Sequence, residues 1–475
     1  MQNTTVRICA RGCRYVSRLF LALVLMSSTV VLGQQADSPK WQAGVAVRRI
    51  TPEKLLWMAG YGHRDHPAEG TLTELYAKAI CLEDAESQRI LLITLDLVGI
   101  DKALSDRIRD EIAETLQFDR AHVCLNVSHT HTGPVVAENL SSMNEAVLDD
   151  QQRALVAEYA AKLSQDVVAI AGEAVRSLQP CRLSWGSGVA AFAVNRRNNP
   201  EAEVPARRAA GTLVGPADHD VPVLVVRDQA GAYRAIVFGY ACHATVLSFY
   251  QWSGDYPGFA QLALEADYPG CVAMFWAGCG ADQNPLPRRQ VELAQRYGYE
   301  LAGAVKQVLD RPLRDLESKL TAGYVEIDLP FGDLPTREQI EADLESKDRF
   351  VAARARRLLV QLDVEQSLSP TYPYPITRWT LGNELEWFFL GGEVVVDFAL
   401  RLKSERRGTN TWVAGYTNDV MAYIPSRRVL QEGGYEGGGA MVYYGLPAAW
   451  APTVEADIIQ AASRLGDDVD RTVSN

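Results

Sequence analysis

The chain has 475 residues, a formal net charge of −12, 47% hydrophobic and 22% charged residues, which is the balance of a folded protein with a sizeable core and excludes a disordered chain. An acidic surface repels phosphate backbones, so no nucleic-acid partner is expected. The first 33 residues stand apart. Arg7, Arg11, Arg14 and Arg18 precede an apolar run from Leu19 to Gly33, and Val31-Leu32-Gly33 offers a small-residue exit. A basic start, a short apolar middle and that exit describe a secretory signal, and the run is shorter than the roughly 20 residues a membrane span needs. An uncleaved anchor is the alternative. The mature protein is therefore expected to be exported, to a periplasm or beyond the cell, with no stable transmembrane span. Residues 34–40 read as a short tether and 41–475 as a single large catalytic domain.

Past the signal, six cysteines remain: Cys81, Cys124, Cys181, Cys242, Cys271 and Cys279. None forms a Cys-x-x-Cys pair, so a structural zinc knuckle is not expected. Most lie in apolar runs and read as buried thiols. Export permits disulfides, and Cys271 and Cys279 are a candidate pair.

From Trp41 onward, strand-like and helix-like runs alternate. Arg89 to Asp96 reads as a buried strand ending in an acid, Ser105 to Gln117 as a helix with Ile108, Ile112 and Leu116 on one face, and His122 to Val127 as a second buried strand. Asp149 to Leu178 is a long Ala/Leu/Val-rich helical stretch. Val221–Val226 and Ala235–Ala241 read as strands around a turn at Asp228–Ala232. A helix from Gly258 to Ala266, a strand at Cys271–Trp276 and a helix at Val291–Leu309 follow. The mixed-sign segment Thr336 to Gln366 reads as a solvated helix pair. The fold class this implies is α/β: a mixed, largely buried β-sheet flanked by helices.

The sharpest local signal is Asn126-Val-Ser-His-Thr-His-Thr-Gly-Pro134, directly after a buried strand. In extended chain, residues two apart point the same way, so His129 and His131 are expected to share one face. Neutral imidazole is a common zinc ligand, and a second imidazole beside it can move a proton. His243, in Tyr240-Ala-Cys-His-Ala-Thr245, also sits where a strand gives way to a loop, and strand ends of α/β sheets gather ligands. Glu393 follows an apolar strand and a Gly-Gly turn, and Tyr423 and Tyr435 stand in later loops, the second in a glycine-rich stretch that permits close substrate approach.

Together these segments resemble the catalytic domain of the neutral, non-lysosomal ceramidases. The likeness runs from Ala43-Gly-Val-Ala-Val, Ile50-Thr-Pro and Gly60-Tyr-Gly, through Ser128-His-Thr-His-Thr-Gly-Pro134, to Tyr435-Glu-Gly-Gly. It implies an amide-cleaving zinc hydrolase acting on a small-molecule or lipid N-acyl substrate. By the same resemblance, His129, His243, Glu393 and Tyr423 are the zinc ligands. His131 works on the substrate, Arg196 of Ala193-Val-Asn-Arg-Arg197 contacts it, and Tyr435 is a second substrate-side phenol. Asp96 and Asp282 are candidates for orienting the ligand imidazoles.

The chain departs from the family pattern in three places. Gly280-Ala-Asp-Gln-Asn-Pro285 puts Asn284 where the family carries a serine, and asparagine can donate a hydrogen bond to an oxyanion but cannot act as a nucleophile. The family's C-terminal β-sandwich is not expected in the forty residues after Tyr435. The charged segment 336–366 replaces the family's usual motifs between His243 and Glu393. These departures leave open a zinc deacetylase or esterase acting on a polar sugar- or peptide-like substrate, and, in another class, a secreted binding protein without catalysis.

Overall fold

Twelve apolar or alternating runs between Trp41 and Ala414 form the main strands of two sheets, and the two-residue strand Arg314–Asp315 adds to the larger by pairing with Ser184–Trp185. The structure, a computed structural model, describes residues 41–406 and 410–473; the expected signal (1–33) and tether (34–40) lie outside these. The large sheet contains β1 (Trp41–Arg49), β2 (Tyr76–Glu83), β3 (Arg89–Leu95), β4 (Val123–Val127), β5 (Gln179–Val189), β6 (Asp220–Asp228), β7 (Tyr233–Tyr240) and β8 (Val272–Ala277). Its order is β8-β7-β6-β5-β1-β2-β3-β4. Neighbours are antiparallel except the two outermost pairs, β7 with β8 and β3 with β4, which are parallel. A second sheet carries β9 (Leu320–Pro330), β10 (Thr371–Leu381), β11 (Leu385–Leu390) and β12 (Asn410–Ala414) in that order.

Strands β2, β3, β4, β6, β7 and β8 are buried on both faces over most of their length, which is why they read as near-continuous apolar runs, whereas β1 and β5 carry exposed residues. On β6, Val221, Val223 and Val225 face one core while Leu224 and Val226 face the other. The first core is filled by helices α1 (Lys102–Leu116), α2 (Asp150–Arg176), α3 (Asp255–Asp267) and α4 (Val291–Leu309), through Ile108, Ile170, Leu264 and Leu301 among others. The second lies between the two sheets and is rich in tryptophan: Trp185, Trp276, Trp379, Trp387 and Trp412 pack there, with ring centroids of Trp276 and Trp387 5.1 Å apart. The charged segment forms α5 (Arg337–Asp343), started by a Thr336/Gln339 capping box, and α6 (Arg349–Glu365). Helices α7 (Val396–Glu405) and α8 (Val454–Val473) complete the chain. No helix among the described residues is long and apolar enough to cross a membrane.

The expected elements stand within a few residues of those observed, and α4 has the expected bounds. The second sheet was not foreseen, because β9 is half-exposed and carries Glu326 and Asp328 among its apolar residues, so its run lacks an apolar signature. All six cysteines are free and buried, including Cys271 and Cys279. That candidate pair does not form, since the two thiols stand at opposite ends of the extended β8.

The two parallel edges come together. Asn126, fully buried on β4, accepts a hydrogen bond from the Ala277 backbone N–H of β8 at 2.9 Å and donates to the Gly415 carbonyl at 2.8 Å. One side chain thus ties β4, β8 and the segment after β12, and the C-terminal ends of all three strands open toward one place. Asn126→Leu takes the side-chain acceptor from the buried Ala277 N–H and the amide donor from the Gly415 carbonyl and the Thr417 hydroxyl, in a dry interior. The expected loss is about 2–4 kcal/mol of unfolding free energy, measurable by urea denaturation.

Candidate metal centre and substrate cavity

The loop after β4 begins at Ser128, whose N–H donates to the Leu95 carbonyl at 2.8 Å. His129 then turns into the left-handed region at φ 58°, unusual for a residue with a side chain. The expectation that His129 and His131 share a face by strand alternation is therefore corrected. The two imidazoles do converge, Nε2 to Nε2 at 3.1 Å, but through a left-handed turn rather than extended chain. Gly60, itself at φ 93°, makes room for them, since a Cβ there would lie 2.5 Å from Nδ1 of His131.

His129 donates its Nδ1–H to the Val98 carbonyl at 2.6 Å, and His243 donates its own to the Gly280 carbonyl at 2.8 Å. Each is thereby fixed in the tautomer whose Nε2 carries a lone pair. Both Nε2 atoms stand 3.1 Å from the same carboxylate oxygen, Oε2 of Glu393. Tyr423 places its hydroxyl 3.3 Å from His243 Nε2. The last two residues are brought together by backbone register: Glu393–Val394 pairs in parallel with Tyr423–Ile424, Glu393 directly opposite Tyr423. Gly392, at φ 76°, supplies the turn into this ladder.

Asp96 and Asp282 do not touch either imidazole. Asp96 accepts from the Tyr76 N–H at 3.0 Å, and Asp282 accepts from Asn195 at 2.9 Å and from the Val396 N–H at 3.0 Å. Burial pushes Asp96 up to about 6, against the Lys78 charge and the donors around it, and raises Asp282 against its backbone and amide donors, while the imidazoles are oriented by two main-chain carbonyls. The second oxygen of Glu393, Oε1, accepts a short hydrogen bond from Tyr444, a residue with no distinguishing sequence signal.

Burial, then the positive charge of Arg196, pushes His243 down to about 4, and burial pushes His131 well below its usual value, so both rings are neutral near pH 7. Lone pairs from two imidazoles and a carboxylate thus face one another across 3.1 Å in a dry interior, which is repulsive unless a cation lies among them, and the Tyr423 hydroxyl stands beside them. Spacings of 3.1 to 3.3 Å suit ligands about 2.0–2.1 Å from one zinc ion. His129, His131 and His243 each offer a ring nitrogen within 4.8 Å of the others, and this buried triad could hold a metal ion. His131 differs from the other two: its Nδ1 is buried without a partner.

A cavity of about 640 Å³ opens onto this centre, lined by His131, Arg196, Asn284, Tyr423 and Tyr435 among others. Arg196 donates to Glu436 at 2.7 Å, to Tyr423 Oη at 3.1 Å and to Asn284 Oδ1 at 3.3 Å. Arg197 turns the other way, to Glu432, Glu436 and the Gly433 carbonyl. Because Asn284 Oδ1 accepts from Arg196 and from Thr245, its amide N–H₂ is left for the cavity. Tyr435 stands at the rim, 45% exposed, its ring 5.1 Å from that of Tyr423. Five of the residues named from the sequence, His131, Arg196, Asn284, Tyr423 and Tyr435, thus line the cavity, and His129, His243 and Glu393 are buried at the centre it opens onto. Unforeseen neighbours are Tyr444, Glu436 and Arg64, the last buried beneath the loop and bonded to the carbonyls of Ala59, His131 and Phe249. Among these, Glu436 lies within a quoted motif, Tyr435-Glu-Gly-Gly, and Arg64 stands near another, Gly60-Tyr-Gly.

The family model for the N-terminal part of neutral/alkaline non-lysosomal ceramidase matches residues 41–285. The neutral ceramidase of Pseudomonas aeruginosa is 25% identical over 495 aligned residues, covering 89% of this chain and 72% of that protein. The crystal structure of the P. aeruginosa neutral ceramidase shares the fold with a TM-score of 0.68 at 20% identity, over 90% of this chain and 74% of that one. A solved ceramidase in complex with C2 gives a TM-score of 0.69 at 18% identity, over 89% and 74%.

Proposed function

The chain belongs to the neutral/alkaline non-lysosomal ceramidase family, and from that premise we propose that it is an exported, zinc-dependent hydrolase of N-acyl amides, the bond class of N-acylsphingosine, with residues 41–475 as one catalytic domain. The observation that carries this is the convergence of His129 Nε2, His243 Nε2, Glu393 Oε2 and Tyr423 Oη, with both Nδ1–H groups already committed to carbonyls. Those four atoms would hold the metal. His131 lacks the acceptor on its second nitrogen that a ligand imidazole has, which favours a proton-carrying role for it. Export rests on the sequence of residues 1–33.

Bound zinc supplies Lewis acidity toward a carbonyl oxygen and toward water. The rest is work for the chain's own side chains. Hydrolysis joins a water oxygen to the acyl carbon, breaks the C–N bond, and moves one proton to the leaving amine. His131 enters neutral, takes the water proton at Nε2 and returns it to the amine nitrogen. Tyr435 Oη and the Asn284 amide donate to the carbonyl oxygen as it gains charge; losing one such donor typically costs about 3 kcal/mol of transition-state stabilisation. Arg196, fixed by Glu436, holds Tyr423 and Asn284 in place and anchors a polar substrate group.

Incubating the purified protein with a panel of N-acyl amides that includes N-dodecanoylsphingosine should liberate fatty acid, stop on chelation and resume with zinc. Activity that survives exhaustive chelation would exclude the metal from the reading. Tyr444→Phe removes the hydrogen bond that orients Glu393. It should weaken zinc affinity by about 10- to 100-fold in a chelator competition while leaving thermal unfolding of the zinc-loaded protein cooperative.

A further inference from the structure

Resting on the proton-carrying role given above to His131, we propose that Arg64 is a positioning residue for that histidine, fixing its imidazole from beneath through main-chain carbonyls because the ring has no hydrogen-bond acceptor of its own.

The three imidazoles of the centre are held in different ways. His129 and His243 are each oriented by an Nδ1–H bond to a carbonyl. The Nδ1 of His131 is buried without a partner, and its Nε2 is the atom that exchanges a proton in the proposed reaction. A ring on two rotatable bonds then keeps one orientation only if its backbone and the walls around it are fixed. The backbone is held at both ends. The His131 N–H donates to the Ala244 carbonyl at 3.2 Å, and its carbonyl accepts from Arg64 Nη2 at 2.8 Å. The walls are Gly60, where a Cβ would come within 2.5 Å of Nδ1, and the Tyr61 ring, whose centroid is 4.7 Å from that of the imidazole. Arg64 holds these too. It donates through Nη1 to the carbonyl of Ala59, the residue before Gly60, and its guanidinium carbon stands 4.9 Å from the Tyr61 ring centroid. Nη2 also reaches the Phe249 carbonyl at 3.3 Å. One planar fork thus joins the 59–64 turn, the His131 loop and the segment at Phe249, a geometry that the single ammonium of lysine does not copy.

The residue type is informative. Arg64 is 1% exposed, and its hydrogen bonds go only to carbonyls. A guanidinium taken out of water without a carboxylate beside it is costly to bury. What that charge secures is the set of carbonyls it holds, and one of them belongs to the proton carrier. Arg64 does not line the cavity, so its path to the reaction runs through His131.

A double-mutant cycle on the zinc-loaded full chain tests this, with Arg64→Met, His131→Ala and the double variant. The substrate is whichever N-acyl amide of the panel above the wild-type chain hydrolyses fastest. A displacement of about 1 Å can cost about 10²-fold, so Arg64→Met should lower kcat by about 10- to 100-fold with KM and zinc content unchanged. In the His131→Ala background the same substitution should lower kcat by less than about twofold. Equal loss in both backgrounds overturns the inference, because a general structural defect acts whether or not His131 is present. So does an unchanged kcat in Arg64→Met, a loss confined to KM, or a loss of zinc. If Arg64→Met does not fold, Arg64→Lys, which keeps the charge without the fork, takes its place in the cycle with the same expectations. If the wild-type chain hydrolyses no amide, the amidase reading fails, and the crystal structure of the Arg64 variant still decides the inference. A His131 ring moved by about 1 Å or more, with the His129 and His243 rings in place, supports it. An unmoved His131 ring, or all three displaced together, overturns it.

Discussion

His129→Ala is expected to lose metal and activity together. The imidazole supplies one of two Nε2 lone pairs facing Glu393 Oε2, and its Nδ1–H is held by the Val98 carbonyl. His243 is held in the same way by Gly280. Removing one of the four proposed ligands from a buried site would leave an open position beside the Glu393 carboxylate. Zinc content should fall from one equivalent per chain to a small fraction, by metal analysis after dialysis. Loss of Lewis-acid stabilisation worth several kcal/mol should cut kcat/KM by about 10³-fold or more. Full zinc occupancy in His129→Ala would remove that residue from the ligand set.

His131→Ala separates the two roles within one motif. Its ring touches His129, Tyr61 and the cavity, but its Nδ1 has no acceptor to hold it as a ligand. The variant should keep its zinc and its fold, and lose about 10²- to 10⁴-fold in kcat, the range for a positioned acid–base group. KM should change little, because a proton carrier acts in the transition state and not in ground-state binding. Loss of zinc from His131→Ala would instead make the three histidines the metal site and leave Tyr423 outside it.

Much of this arrangement was legible in the sequence because strand ends and residue chemistry coincide. His129, His243 and Glu393 each follow an apolar strand, and the strands β4, β7 and β11 do deliver them to one place. Tyr423 and Tyr435 were marked only by their later loops and a glycine-rich stretch and took their roles from the family likeness, which alone singled out Arg196. Three features could not be read. The Val98 and Gly280 carbonyls that fix the imidazoles are main chain, invisible in residue types, so Asp96 and Asp282 stood in for them in the reading. The left-handed turn at His129 needs tertiary contacts to hold it and leaves no trace in a run of Ser, His and Thr. The second sheet hid because β9 alternates polar and apolar residues over a half-exposed face, and because α5 and α6 separate it from β10. The tying of β4 to β8 through Asn126 likewise joins residues far apart in the chain.

The central claim is that two imidazoles, a carboxylate and a phenol share one divalent ion. Anomalous diffraction at the zinc edge, from crystals of the zinc-loaded protein, tests it most directly. The account predicts a single peak within bonding distance of His129 Nε2, His243 Nε2, Glu393 and Tyr423 Oη, with His131 beside it and unbonded. A peak bonded to His131 with Tyr423 outside the shell, or a peak elsewhere in the molecule, would contradict it.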